Sequence, residues 1–165
     1  MNSFKIFSNF CFLLLIGILP TSAQTRDSIM PDFKFFRLED SSPFTKNNID
    51  SKKKSIIILF DTSCSHCQDE IAAIGKQYSD FKNVNLYLVS MDIKTAIEVF
   101  MEKYGKELKG RKNVTVLQDS SNDFVPKFNP TKFPAMYIYS ENKKLISYFG
   151  GQKDIKEIVK VVNSL

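Results

Sequence analysis

The chain has 165 residues, 43% hydrophobic and 25% charged, with a net charge of +5, three cysteines and one histidine. That length suits one domain with a full apolar core, and three cysteines are too few to make it a disulfide-stapled miniprotein. A single histidine excludes metal sites built on two or more imidazoles, while six Gly, six Pro and 13% aromatic residues exclude a collagen-like or disordered chain.

Residues 1–23 have the layout of a secretory signal peptide: Lys5 supplies positive charge, Phe10 to Leu19 is apolar, and Thr21 and Ala23 offer small residues before a cut. The alternative is an uncleaved membrane anchor over residues 6–19, which is shorter than the roughly 20 residues a spanning helix needs. Cys11 lies inside this segment without the small-residue setting of a lipidation site. Cleavage leaves residues 24–165 with two cysteines, Cys64 and Cys67. The expected location is periplasmic or otherwise extracytoplasmic, where a cysteine pair persists as a disulfide. Membrane contact is expected only if the N-terminal segment stays uncleaved. The excess of lysine is spread thinly among acids, so no nucleic-acid partner is expected.

Further along, Phe33 to Leu38 reads as a strand, followed by a turn at 41–43. Ser55 to Phe60 is a continuous β-branched run, the pattern of a strand buried on both faces. A helix with Ile71, Ile74, Tyr78 and Phe81 on one stripe follows, then a strand over Val84 to Val89. Ile93, Ala96, Ile97, Phe100, Met101, Tyr104 and Leu108 predict a four-turn helix that packs this face into the core. Val114 to Leu117 is a short strand, and Asp119 to Pro134 is looser. Two strands, Ala135 to Tyr139 and Leu145 to Phe149, form a hairpin; Gly150-Gly151 breaks the chain before a helix carrying Ile155, Ile158, Val159 and Val162. This order predicts a three-layer α/β domain whose central sheet is mixed, parallel across the crossovers and antiparallel at the hairpin. Asn113-Val114-Thr115 is formally a glycosylation sequon.

Chemistry concentrates in Cys64-Ser65-His66-Cys67, between the buried strand and its helix. Unpaired N–H groups and the dipole at a helix start favour a thiolate. Cys64, expected in the first turn, is the residue that gains, since such thiols have pKa values of roughly 3.5–7.5 against about 8.5 for free cysteine. A mixed disulfide at Cys64 would be resolved by Cys67, one turn further in. His66 lies between them; as imidazolium it would stabilise the Cys64 thiolate and make the disulfide a stronger oxidant, whereas an exposed imidazole without effect is the plainer alternative. A zinc site would need a further ligand, and a c-type haem site would need His where Gln68 stands, so no resident metal is expected. The two thiolates can also bind copper(I), which leaves a copper(I) or thiol carrier for assembly of another protein as the alternative function.

With Pro31-Asp32-Phe33, the strand leading into Cys64-Ser65-His66-Cys67, the helix over 93–108 and Phe133-Pro134-Ala135-Met136-Tyr137, the chain resembles the thioredoxin superfamily, and within it the exported bacterial proteins of the TlpA/ResA type. The resemblance implies a thioredoxin-like fold with an N-terminal β extension and an extra crossover helix. It implies a thiol–disulfide oxidoreductase with a redox-active Cys64–Cys67 disulfide and no organic cofactor. Its partners would be cysteine-containing client proteins and an extracytoplasmic thiol redox partner. Pro134 would be cis beside the cysteines, Phe133 and Pro134 would bind the substrate segment, and Glu70, one turn from Cys67, would either exchange a proton with it or serve only as a helix-favouring acid in the first turns. Three departures stand out: Ser63 replaces the usual Trp, Ile58 the buried acid, and Phe133 the small or β-branched residue before the proline. A peroxiredoxin resemblance is weaker, because Thr62 lies only two residues before Cys64 and the chain has just Arg26, Arg37 and Arg111.

Overall fold

The computed structural model describes residues 28–164; the expected signal peptide and Cys11 lie outside the described residues. Alternation along the three fully buried strands builds the domain. In β3 (Ser55–Leu59), Ile56 and Ile58 face one side and Ile57 and Leu59 the other. The same split recurs in β4 (Asn85–Ser90) and β6 (Ala135–Tyr139). Because both faces are covered, these strands read as unbroken apolar runs.

Among the described residues the sheet has the order β2-β1-β5-β4-β3-β6-β7, where β1 is Lys34–Arg37, β2 Pro43–Thr45, β5 Val114–Gln118 and β7 Leu145–Gly150. Strand β4 lies parallel to β3 and β5, and every other pairing is antiparallel, as the mixed-sheet expectation required. Helices α1 (Ser65–Lys76), α2 (Lys94–Lys103) and α4 (Ile155–Asn163) pack on one face around Ile71, Phe100 and Ile158. The other face carries an aromatic cluster: Phe33 and Phe35 pack on Phe124 and Phe128 of a short helix, α3 (Phe124–Phe128), and Phe44 stacks on Phe33. No described helix is long and apolar enough to cross a membrane.

Several local expectations change, and the helix expected to carry Tyr78 and Phe81 ends at Lys76, with Tyr78–Phe81 a separate 3₁₀ turn. The helix expected over 93–108 stops at Lys103, and Lys106–Leu108 is a separate 3₁₀ turn. Ile93 is the N-cap and is 70% exposed, so it does not belong to the core stripe. Strand β2 and helix α3 form where a turn and a loose stretch were expected. Asp119 makes α3 possible: fully buried, it accepts from the N–H groups of Asp123 and Phe124 at 2.9 and 2.8 Å. The amide of Asn113 donates to the carbonyls of Phe81 and Val84 and accepts from the Tyr78 hydroxyl, so the sequon side chain is an internal tie and not a free acceptor for sugar.

Candidate functional site

Strand β3 ends beside β6 with Leu59 opposite Ala135, so the loop after β3 and the residues before β6 meet at one end of the sheet. The loop is tightly fixed. Asp61 accepts from the backbone N–H and hydroxyl of Ser63 at 2.7 and 2.6 Å, an Asx turn. Asp92, from the loop after β4, accepts from the Thr62 N–H at 2.8 Å, and Gln68 donates back to the Thr62 carbonyl.

Cys64 emerges from this loop as the N-cap of α1, one position earlier than expected. Its sulfur accepts from the Cys67 N–H at 3.4 Å, taking the place a serine or aspartate oxygen usually fills. Cys64 is half-buried and Cys67 fully buried, and both are free thiols. Burial pushes the Cys67 thiol well above its ordinary range; the Asp61 backbone amide opposes that rise, and the Cys64 sulfur and the Asp61 charge reinforce it.

Glu70 lies one turn beyond Cys67 on α1 and is 2% exposed. Burial pushes its carboxyl from 4.5 up to about 7, against the pull of the Lys153 backbone N–H and charge. That N–H donates to Glu70 Oε2 at 3.1 Å. His66 is exposed, and its Nδ1 meets Gln152 Oε1 at 2.8 Å.

The Phe133–Pro134 peptide is cis, as the resemblance implied. Pro134 is buried and Phe133 partly so, with its ring against both core clusters. The Pro134 carbonyl accepts from the Gly151 N–H at 2.8 Å, linking this loop to the approach to α4. Gly151 has φ +84°, and a Cβ on Gly150 would stand 2.6 Å from Thr131 Oγ1 and 2.8 Å from the Tyr148 hydroxyl.

The fold therefore gathers Cys64, His66, Cys67 and Glu70 on the first turns of α1 and brings the Phe133–Pro134 loop to the same end of the sheet. It adds Asp61, Asp92, Gln152 and Lys153, which sequence reading did not single out. Only Asp61 left a signal, the Asp-x-Ser pattern of an Asx turn; the others act across 30 residues or more. Arg37 and Arg111, the arginines among the described residues, lie over the rings of Phe44 and Tyr78 at 4.7 and 4.4 Å. Phe44 belongs to the opposite face and Tyr78 follows the far end of α1, so neither arginine stands at Cys64.

The profile of the AhpC/TSA family matches residues 27–147. The thiol-disulfide oxidoreductase ResA of Bacillus subtilis is 24% identical over 120 residues, which are 70% of this chain and 64% of that protein, so the match spans less than two thirds of its relative. A secreted Mycobacterium tuberculosis disulfide oxidoreductase homologous to E. coli DsbE superposes with TM-score 0.65 at 17% identity, covering 81% of this chain and 96% of that one. A cysteine-to-serine mutant of the peroxiredoxin 6 of Arenicola marina gives TM-score 0.71 at 15% identity over 85% of this chain and 72% of that one. At these identities the structural likeness establishes the fold, which is thioredoxin-like.

Proposed function

Because the chain belongs to the AhpC/TSA family, we propose that it is a secreted, single-domain thiol–disulfide oxidoreductase acting on protein cysteines outside the cytoplasm. The observation that carries this reading is the pairing of a half-buried Cys64, whose sulfur caps α1, with a fully buried Cys67 one turn inside. Only the first sulfur is open to a partner, and only the second is placed to displace it.

In the reducing direction the Cys64 thiolate attacks a client disulfide, forming a mixed disulfide and releasing one client thiolate, which takes up a proton. Cys67 loses its proton, attacks Cys64 Sγ and releases the second client thiolate, leaving a Cys64–Cys67 disulfide. Two electrons pass to the client; the reverse sequence oxidises a client dithiol. A buried thiol that holds its proton tightly needs a base within reach, and Glu70, titrating near neutrality one turn away, is matched to that task. Phe133 and Pro134 position the client segment at the exposed side of Cys64, and no organic cofactor takes part. Residues 1–23 direct the export.

The test is disulfide exchange with a disulfide-bearing protein substrate. Cys64→Ser should abolish it, and Cys67→Ser should accumulate a mixed disulfide visible on a non-reducing gel. Wild-type behaviour of both variants would overturn the reading, and copper(I) retention without exchange would put a carrier in its place. For export, the full chain produced in a bacterial host should be recovered outside the cytoplasm beginning at Gln24.

A further inference from the structure

Gln152 has no part in the chemistry described so far, yet it makes the hydrogen bond that holds His66. Its Oε1 lies 2.8 Å from His66 Nδ1, and the two residues are 86 positions apart. An amide oxygen only accepts, so this contact selects the tautomer that carries its proton on Nδ1.

The placement of Gln152 is not incidental. Gly151 donates its N–H to the Pro134 carbonyl and turns the chain at φ +84°, a torsion that side-chain-bearing residues rarely take. Directly after that turn, Gln152 reaches His66 and Lys153 reaches Glu70. His66 and Glu70 are four apart on α1 and so share one helix face. Two consecutive residues thus grip two residues on one face of the redox helix, and the turn that presents them is bonded to the cis-proline loop.

We propose that Gln152 is a positioning residue of the redox site: it fixes the tautomer and orientation of His66 and through it tunes the Cys64 thiol. The inference rests on the thiol–disulfide reading above, but its first measurement does not need that reading to hold.

The chain has one histidine, so its imidazole nitrogens give an unambiguous NMR signature. In the reduced full-length chain at alkaline pH, where the ring is neutral, nitrogen–proton correlations should show the Nδ1–H tautomer. Gln152→Leu should lose that preference and Gln152→Glu, which keeps an acceptor oxygen, should retain it. Gln152→Leu should also move the equilibrium of the cysteine pair with glutathione toward the disulfide by about two- to fivefold, the effect of one exposed hydrogen bond. His66→Ala should shift it in the same direction, and the double variant should go no further than His66→Ala alone. An Nε2–H tautomer in the wild type, or an unchanged tautomer in Gln152→Leu, would overturn the contact. A changed tautomer with an unchanged equilibrium would overturn the tuning. A wild-type chain that shows the Nδ1–H tautomer but no exchange activity would defeat the redox reading, and the positioning role with it.

Discussion

Lys153 donates its backbone N–H to Glu70 Oε2 at 3.1 Å, so the buried carboxyl on α1 is held from the segment that leads into α4. A carboxyl so placed is neither free to rotate toward solvent nor strongly driven to ionise, and burial pushes it up to about 7. Its protonation changes within the pH range where a thiol–disulfide exchanger works.

Glu70→Gln keeps the shape of the side chain and removes the titration. Resolution of the mixed disulfide by Cys67 should slow by about 10²-fold, the lower end of what a positioned proton-transfer group contributes. The wild-type rate should rise with pH through a step near 7, and that step should be missing from the variant. Rapid-quench measurement of mixed-disulfide decay at several pH values checks both; an unchanged step would take Glu70 out of the proton transfer.

The same carboxyl affects stability, with the opposite reward. Its folded pKa lies above the ordinary value, so the fold prefers the protonated form. The stability this contributes is complete below about 4.5 and is lost as pH rises through about 7. Between pH 5 and 8 the wild type should lose up to about 3 kcal/mol from this group, at about 1.4 kcal/mol per pKa unit. Glu70→Gln should lose less over that interval, and urea midpoints at the two pH values will show whether it does.

His66→Ala should make the cysteine pair less oxidising, because a neighbouring imidazolium favours the thiolate and so the reduced form. A fall of about 30 mV would correspond to about 1.4 kcal/mol. Equilibration with glutathione at pH 7 measures it, and a potential equal to that of the wild type would make His66 an ordinary exposed residue.

On the far face, Asp119→Ala removes the acceptor for two N–H groups at the start of α3. The expected loss is about 1–3 kcal/mol, since the donors stay buried without a partner. Chemical denaturation should show that loss while the exchange activity of the folded variant stays near the wild type, because Asp119 caps an element of the opposite layer.

How much of this could be read from the residues depends on the range of the forces involved. The strand Ser55–Leu59 and the helix that follows the cysteines announce themselves through local patterns, and so does the position of the cysteine pair. Pro134 and Glu70 became visible through family resemblance, since no local rule marks a cis bond or a carboxyl buried by distant segments. Strand β2 is three residues long and begins with Pro43, and α3 carries Pro126 in its first turn. Neither has the length or propensity to signal itself, and both are held by aromatic packing contributed from elsewhere in the chain. The stripe expected over 93–108 overran because Ile93 precedes the helix and Gly105 follows its last turn. The contact between Gln152 and His66 joins ends of the domain that no window of sequence contains.

The neighbouring glycines at the end of β7 would behave differently in a genetic screen. Gly150 is closed by crowding from Thr131 and Tyr148, so a harmful replacement there can in principle be suppressed by trimming one of those side chains. Gly151 has no heavy atom nearer than 3.7 Å to its missing Cβ and is closed by torsion alone. Trimming a neighbour does nothing for a torsion, so revertants at that codon should be intragenic only in the narrowest sense: back to glycine, or to asparagine, which tolerates a left-handed backbone better than most. Two adjacent positions that look alike in an alignment would thus carry opposite suppressor spectra.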